Sequence, residues 1–250
     1  MAKCLIYPVG TTAASQYAAH FLEKAGLEIV DHPTPEVTHL LMDVPSFGND
    51  GMLRGGGNPE RILETVPQYI TVAGGNLDHP VLDGYRVWDF LQDEDYLAQN
   101  AAITADCALQ VAAPLLKTTF AQSPALIIGW GRIGKCLGQL LKGMGCPVTV
   151  AARKAPDRAM IRALGYDTAD PADLELNGYR ILFNTAPELI LNKEQLSHYK
   201  DCVKIDRASR KGLEGDDVVW ARGLPGIYTP ESSGRLITDT FLRKLKEENT

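Results

Sequence analysis

The sequence lacks three features that would each place it in a particular class of protein. Its longest apolar runs fall short of the roughly 20 residues that a membrane-spanning helix needs, and its first residues carry too short an apolar run for a secretory signal. Positive charge is in deficit, with 25 Lys and Arg against 31 Asp and Glu, which is not typical of a nucleic-acid-binding protein. We therefore expect a cytoplasmic protein that binds neither membranes nor nucleic acids.

Cysteine is also scarce, and its spacing argues against two kinds of cross-link. The five cysteines, Cys4, Cys107, Cys136, Cys146 and Cys202, are odd in number and far apart, and none forms a C-x-x-C pair. A disulfide framework or a structural zinc site requires clustered cysteines. We expect reduced thiols and no metal site.

What the sequence does contain is an alternation of short apolar strands and amphipathic helices. The first half predicts strands over residues 4–8, 27–30, 39–44, 69–73 and 85–88, and helices over 13–25 and after Asn58. The second half predicts strands over 125–128, 148–151, 181–184, 203–206 and 220–221, and helices near 133–144, 157–164, 193–198 and 235–248. Strands separated by helices indicate parallel sheets. The predicted fold class is α/β, with two Rossmann-like parallel-sheet domains.

A long helical stretch, from Glu94 to Thr119, connects the two halves, with Pro114 as a kink or break. We place the domain boundary just after it, so that the first, substrate-side domain spans residues 1–121 and the second spans 122–250. The last predicted helix, 235–248, has one apolar face and is expected to pack on the first domain or on the connecting helix.

A glycine-rich turn follows the first strand of the second domain. Gly129-Trp130-Gly131-Arg132-Ile133-Gly134 joins that strand to a helix. In this setting the first glycine makes the turn, the second admits a diphosphate and the third lets the helix pack on the strand. The helix N-terminus also attracts phosphate. The second domain is therefore predicted to bind a dinucleotide through these six residues; the alternative is a purely structural turn.

The residues at the end of the next strand indicate which of the two pyridine dinucleotides, NAD or NADP, the domain binds. A domain that binds NAD places Asp or Glu there, about 20 residues beyond the glycines, to bind the ribose 2′-hydroxyl. Here Ala151 and Ala152 are followed by Arg153 and Lys154, with no carboxylate. A small residue followed by Arg suits a 2′-phosphate. We predict NADP as the cofactor, bound by Arg153 and Lys154; the alternative is that both are ordinary solvent-exposed charges.

Three further loops of the second half follow predicted strands, where ligands of open α/β sheets bind. They are 184–187, 206–210 and 223–226. Thr185 and Pro187 are candidate cofactor contacts. Asn184 and Ser209 are candidates for hydrogen bonds to nicotinamide or substrate, although turn and capping roles are as common for such residues. Gly223 and Gly226 would let backbone approach the substrate, and a plain turn explains them equally well.

Taken in order, these motifs resemble the A subunit of dipicolinate synthase, within the wider 2-hydroxyacid-dehydrogenase-like Rossmann group. The resemblance covers about residues 100–250, and Thr104-Ala105-Asp106 is similar to a Thr-x-Glu motif of the family, with Asp replacing Glu. The matching segments are 129–134, 151–153, 184–192, 206–210, 223–227 and 229–234.

The resemblance implies NADP-linked oxidoreductase chemistry on a small cyclic dicarboxylate of the dihydrodipicolinate type. The product would be dipicolinate, the calcium-chelating acid of bacterial spores, which implies a role in sporulation. It further implies a partner, a flavoprotein-like B subunit. A homo-oligomer is expected for this class, but no residue demonstrates it.

A dicarboxylate substrate requires fixed cations, and Arg210 is the first candidate because a guanidinium binds a carboxylate through two hydrogen bonds. Arg210 also resembles the Arg position of 2-hydroxyacid dehydrogenases, and Arg207 is the second candidate. The alternative for Arg210 is a surface ion pair.

The Thr-Pro pair before the last helix is followed by Glu231, where 2-hydroxyacid dehydrogenases have their catalytic His. Oxidation of ordinary 2-hydroxyacids is thus disfavoured. Glu231 and Asp106 are the candidate catalytic residues, because either carboxyl could transfer a proton if a buried setting made it less acidic. The missing His leaves a second function open, that of a nucleotide-binding accessory or sensor subunit without turnover.

Overall fold

The structure is a computed structural model that describes residues 4–48, 50–175, 177–197, 199, 201–208, 210–221 and 223–248. It contains two compact units. The first unit comprises residues 1–100 and 225–250, and the second unit comprises residues 101–224.

Eleven strands and eight α-helices are found in the described residues, with short 3-10 turns between some of them. The strands are β1 Leu5–Pro8, β2 Glu28–Ile29, β3 His39–Leu41, β4 Thr71–Gly74, β5 Arg86–Asp89, β6 Ala125–Ile128, β7 Val148–Ala151, β8 Asp167–Ala169, β9 Ile181–Asn184, β10 Val203–Asp206 and β11 Val218–Trp220. The helices are α1 Ala13–Lys24, α2 Pro59–Leu63, α3 Glu94–Ala112, α4 Arg132–Gly143, α5 Ala155–Ala163, α6 Lys193–Ser197, α7 Leu224–Tyr228 and α8 Pro230–Glu248.

The first unit is built on a five-stranded parallel sheet in the order β2-β1-β3-β4-β5. Helices α1 and α8 pack closely against each other in this unit. A Cβ atom on Gly234 of α8 would lie 2.4 Å from Cβ of Tyr17 on α1, so glycine is what allows the approach. The hydroxyl of Thr238 donates to the carbonyl of Ala18 at 3.3 Å and fastens the same contact.

The second unit is built on a six-stranded parallel sheet in the order β11-β10-β9-β6-β7-β8. Numbered within the unit and taken from β8, this order is 3-2-1-4-5-6, the doubly wound arrangement that binds a dinucleotide where the order reverses. Strands β6 and β9 are buried along their whole length. Small residues on one face of α3, among them Ala105 and Ala108, pack against Ile127 and Phe183 of this sheet.

The predicted fold class, two parallel-sheet α/β domains joined by a long helical connection, is confirmed. The structure divides the chain at different points from the sequence, however. The predicted boundary at residue 121 follows the connecting helix, whereas the units divide within α3, between residues 100 and 101. The last helix lies in the first unit, because Gly234 allows it to pack on α1.

Several elements differ from the sequence prediction, among them β11, which spans Val218–Trp220 where residues 220–221 were predicted. Strand β8 was not predicted, and residues 224–228, expected to be part of a loop, form helix α7. Helix α8 begins at Pro230, five residues before its predicted start at Arg235.

No disulfide joins the five cysteines. Burial raises the pKa of Cys146 and of Cys202 to about 11. Within the described ranges, no helix is both long and apolar enough to cross a bilayer. No group of three His, Cys, Asp or Glu side chains in the same ranges could hold a metal ion.

Candidate functional site

The glycine-rich turn connects β6, which ends at Ile128, to α4, which begins at Arg132. Gly129 has a φ of +103°, a left-handed conformation that favours glycine, and a Cβ atom there would lie 2.6 Å from Oγ1 of Thr185. A Cβ atom on Gly134 would lie 2.3 Å from the carbonyl oxygen of Gly129. Both positions require glycine for the turn to close against β9 and α4.

Gly131 differs from these two glycines because the space beside it is open. It is the N-cap of α4 with a φ of −79°, and a Cβ atom there would meet no described atom within 4 Å. Gly131 has no side chain with which to cap this helix end. The N–H groups at a helix N-terminus, together with the helix dipole, attract an anion. Open space next to backbone donors fits the diphosphate of a dinucleotide.

Two of the side chains between the glycines anchor the turn in the core. Trp130 and Ile133 are partly buried against the hydrophobic core of the second unit. The Trp130 ring meets the Tyr166 ring edge-on, with 5.8 Å between centroids. Arg132, the first residue of α4, is exposed. The side chains of Trp130 and Ile133 therefore anchor the turn in the core. The hydrogen-bond donors that the turn could offer a ligand are backbone N–H groups.

The loop after β9 closes the same turn from the neighbouring strand. The hydroxyl of Thr185 donates to the carbonyl of Ile128 at 2.9 Å, and the backbone N–H of Thr185 donates to the same oxygen at 2.8 Å. Pro187, two residues further on, is exposed. Thr185 is thus part of the turn's construction, and Pro187 remains at the surface of this loop.

The end of β7 carries the two predicted phosphate-binding cations. Ala152 is buried, whereas Arg153 and Lys154 are exposed. Arg158 of α5 fixes this loop, because its Nη1 donates to the carbonyls of Ala152 and Arg153, each at 2.7 Å. Nη1 of Arg153 lies 2.7 Å from a carboxylate oxygen of Glu188, in the loop after β9. The guanidinium that was expected to bind a 2′-phosphate is therefore paired with a solvent-exposed carboxylate.

Asn184 has a turn-forming role, which the sequence analysis left open beside contact with a ligand. It is completely buried at the end of β9, and its Nδ2 donates to Asp206 at 3.0 Å and to the carbonyl of Ala186 at 3.1 Å. Its Oδ1 accepts the N–H of Ala186 at 3.1 Å. These bonds shape the loop, so Asn184 is a positioning residue.

The loop after β10 contains the two candidate carboxylate-binding arginines in different settings. Arg210 is exposed, whereas Arg207 is only 9% exposed, and its Nε and Nη1 atoms have no hydrogen-bond partner in the described part of the chain. Burial lowers the pKa of Arg207 to about 10, so the guanidinium is still charged at neutral pH. Ser209 lies outside the described residues.

Neither candidate catalytic carboxylate has the buried setting on which its nomination depended. Asp106 is exposed on α3 and accepts a hydrogen bond from Nε2 of Gln110 at 2.8 Å. Glu231, in the first turn of α8, is exposed and pairs with Arg235 at 2.8 Å. Both carboxylates are solvated, so the structure does not favour either one as the proton acceptor.

The two candidate glycines near the last helices also differ from their expected loop. Gly223 has a φ of +63° and is exposed at the end of the second unit. Gly226 lies inside α7, in the first unit. The structure therefore does not bring these two residues into one ligand-binding loop.

The sequence analysis assigned no role to two residues at this edge of the sheet. Glu188 lies within a matched motif but received no role, and Asp206 was identified only as a loop position. The sequence did contain a signal for the role of Asp206. Asn184 and Asp206 end two strands of equal length and lie opposite each other in register. Nothing in the spacing brings Glu188 to Arg153, since 35 residues separate them.

The chain is similar to a known bacterial protein over most of its length. No family model matches the chain. The A subunit of dipicolinate synthase from Bacillus subtilis (strain 168) is 27% identical over 238 residues, which cover 86% of this chain and 80% of that protein. The similarity therefore extends well beyond residues 100–250.

Solved structures show the same fold. The crystal structure of the A subunit of dipicolinate synthase from Bacillus halodurans is 19% identical, with a TM-score of 0.79 over 97% of this chain and 98% of its own. The NAD-complexed D-isomer specific 2-hydroxyacid dehydrogenase from Lactobacillus delbrueckii ssp. bulgaricus is 12% identical, with a TM-score of 0.52 over 98% of this chain and 97% of its own. The resemblance indicated by the motifs is thus confirmed: the chain is similar in sequence and in fold to the A subunit of dipicolinate synthase, and a 2-hydroxyacid dehydrogenase has the same fold.

Proposed function

We propose that this chain is an NADP(H)-dependent oxidoreductase that converts a small cyclic dicarboxylate of the dihydrodipicolinate type to dipicolinate. The open space at Gly131, beside the N-terminus of α4, carries the proposal. The similarity to a protein named as the A subunit of dipicolinate synthase supports the substrate class. The nicotinamide dinucleotide seen in a solved neighbour supports the cofactor class.

The chain's own residues would hold the cofactor at the carboxyl edge of the second sheet. Backbone N–H groups at the start of α4 would bind the diphosphate. Arg153 and Lys154, after β7, would bind the 2′-phosphate of the adenosine half. The bound NADP would supply the hydride acceptor. In the overall reaction, the dihydro ring loses one hydride to NADP⁺ and one proton, and becomes aromatic dipicolinate.

The preference for NADP over NAD rests on the charges at the end of β7. That strand ends in Ala151, and the two residues after Ala152 are cations. The nearby carboxylate of Glu188 is paired with Arg153 across exposed surface, with the two side chains 71% and 56% exposed. Exposed pairs of this kind contribute about 0–1 kcal/mol, so a 2′-phosphate can replace Glu188 at small cost.

A direct test combines binding with turnover. Calorimetry on the purified chain should give tighter binding of NADPH than of NADH. Addition of NADP⁺ and a dihydrodipicolinate-type substrate should produce NADPH absorbance and dipicolinate in equal amounts. Absence of binding of either dinucleotide at millimolar concentration would contradict the proposal.

A second candidate function is a nucleotide-binding accessory or sensor subunit without turnover of its own. The exposure of Asp106 and Glu231 favours it, because neither candidate catalytic carboxylate lies in a buried setting. This subunit would bind NADPH but produce no dipicolinate alone. A flavoprotein-like B subunit is the proposed partner, in the cytoplasm of a sporulating cell, and restoration of turnover by that subunit would favour this candidate.

A further inference from the structure

Arg207 is a buried cation whose donors are not used by the described residues around it. Its side chain follows β10, and 9% of the residue is exposed. Nε and Nη1 of the guanidinium are buried without a hydrogen-bond partner among those residues. A buried donor without an acceptor is uncommon in native proteins, because burial removes its hydrogen bonds to water. The setting of Arg207 therefore calls for an acceptor that the described polypeptide does not supply.

The nearest carboxylate is not available to fill this role. Asp206 precedes Arg207 in sequence, but its two oxygens already accept hydrogen bonds from the side chain of Asn184 and from three backbone N–H groups. The thiol of Cys107, on α3, lies within electrostatic range of the guanidinium, and a thiol is a weak acceptor. The charge of Arg207 is thus only partly compensated from within the unit.

Arg207 lies at the same edge of the sheet as the glycine-rich turn. Its backbone N–H donates to the carbonyl of Asn184 at 2.8 Å, and the residue after Asn184, Thr185, donates to Ile128 at 2.8 Å. Arg207 therefore lies two strands away from the glycine-rich turn, roughly 10 Å at the usual strand spacing. It follows the fifth strand of the 3-2-1-4-5-6 order, in the half of the sheet opposite the one that carries Arg153.

The two halves of such a sheet bind the two nucleotides of the cofactor. The adenosine ribose is bound after the second strand, which is β7 here, so β9 and β10 border the nicotinamide half. The ring to be oxidised must meet the nicotinamide in that half. We infer that Arg207, rather than the exposed Arg210, binds a carboxylate of the substrate through its unused guanidinium donors. This inference rests on the proposed function and adds to it the residue that selects an anionic substrate.

Removal of the side chain distinguishes a ligand-binding role from a structural one. An Arg207→Met variant removes a buried charge whose donors find no acceptor among the described residues, so the melting temperature of the ligand-free protein should stay the same or rise. Its affinity for dipicolinate, measured by calorimetry in the presence of NADP⁺, should fall about 100-fold, because a charge-assisted bidentate contact is lost. Affinity for NADPH should stay within about twofold, because the α4 donors are intact.

Two further variants sharpen the comparison. Arg207→Lys keeps the charge without the planar pair of donors and should recover part of the dipicolinate affinity. Arg180→Met is the matched control, since Arg180 is an exposed arginine just before the amino end of β9, and it should bind dipicolinate as the natural chain does.

Each of the following outcomes would contradict the inference, and each would indicate a different explanation. A large drop in melting temperature with unchanged dipicolinate affinity would assign Arg207 a structural role. Loss of NADPH affinity alone would assign it to the cofactor. Loss of dipicolinate affinity in Arg210→Met but not in Arg207→Met would return the carboxylate to Arg210. If the natural chain bound no dipicolinate at all, the proposed function and this inference would both fail, whereas normal binding by Arg207→Met would overturn the inference alone.

Discussion

The side-chain amide of Asn184 donates to the buried carboxylate of Asp206 at 3.0 Å, linking the ends of two adjacent strands, β9 and β10. The same carboxylate accepts the backbone N–H groups of Ala208, Gly212 and Leu213 at 3.0, 2.7 and 3.0 Å. One side chain thus determines the course of the loop that follows β10. Arg207 follows Asp206 directly at the start of this loop, so we expect Asp206 to position the candidate substrate contact.

Replacement of Asp206 by Asn should destabilise the second unit strongly. One carboxylate oxygen becomes an NH₂ group that faces donors instead of accepting from them, and the bonds from Asn184 and the backbone cannot all be remade. We expect a loss of about 3 kcal/mol in the free energy of unfolding, measured by urea denaturation. Asp216→Asn is the matched control, because Asp216 is 86% exposed and pairs only with exposed Lys193 in the described ranges. Equal midpoints for the two variants would contradict the assigned role of Asp206.

The same network shows where sequence reasoning about the site reached its limit. Spacing placed Asn184 and Asp206 correctly at the carboxyl ends of their strands, since β9 and β10 have the predicted bounds. Spacing does not show whether a polar side chain at such an edge faces a ligand or is already bonded to its neighbour. Asn184 was expected to contact ligand, but its amide is taken up by Asp206 and Ala186. Arg207, ranked second, is the cation whose buried donors the described residues leave unused.

Substitutions at two glycines of the turn, Gly134 and Gly131, should have separate effects on stability and on cofactor binding. Gly134→Ala places a Cβ atom 2.3 Å from the carbonyl oxygen of Gly129, so it should cost about 1–3 kcal/mol of stability. Gly131→Ala meets no described atom within 4 Å and has an ordinary backbone conformation, so the melting temperature should barely change. Its Cβ would occupy the space proposed for the diphosphate, and affinity for NADPH should fall at least about tenfold.

Calorimetry with NADPH and thermal unfolding of both variants provide the measurements. Gly143→Ala is the control, because Gly143 lies at the far end of α4 and has open space around it in the described structure. Normal NADPH affinity in Gly131→Ala would show that the diphosphate does not lie against this turn.

The ion pair between Arg153 and Glu188 should oppose NADP binding slightly, because the phosphate must replace the carboxylate. Arg153→Ala is expected to weaken binding of NADPH about tenfold or more while leaving NADH affinity unchanged. Glu188→Gln removes the competing charge and should tighten NADPH binding about two- to fivefold. Both effects should shrink as salt concentration rises.

Titration calorimetry with both dinucleotides measures the ratio of affinities. Arg162→Ala is the matched control, since Arg162 lies on the exposed face of α5 and bonds to Thr168. If Arg153→Ala weakened NADH and NADPH equally, the assignment of Arg153 to the 2′-phosphate would be wrong.

The fold was predictable wherever apolar runs are bounded by turn residues. Strands β6, β7, β9 and β10 have the predicted bounds because each is a buried four-residue segment. Strand β8, Asp167-Thr168-Ala169, lies at the sheet edge and has no apolar run to reveal it. Helix α7 contains Pro225 and Gly226, which disfavour helix, but burial of Leu224 in the core outweighs that preference. Pro230 at the first position of α8 was a usable start signal.

The carboxylate of Asp93 gives the first unit a pH dependence in the acid range. Burial alone would raise the pKa of Asp93, but hydrogen bonds from Arg243 at 2.6 Å, from the N–H of Tyr96 at 3.0 Å and from Lys244 outweigh it and hold the pKa well below its usual value. A carboxyl whose pKa is depressed on folding stabilises the protein above its unfolded pKa, near 4. That stabilisation disappears as the pH falls towards the folded value.

Asp93→Asn should therefore be less stable than the natural chain by about 1–3 kcal/mol at pH 7, and the difference should narrow below about pH 4. Urea denaturation at a series of pH values measures both curves. Asp95→Asn is the matched control, because Asp95 is 73% exposed and lies 3.9 Å from Nε of Arg243, and its curve should follow that of the natural chain. Parallel curves for Asp93→Asn and the natural chain from pH 7 down to about pH 2 would mean that Arg243 and Lys244 do not bind the ionised Asp93 in the folded protein.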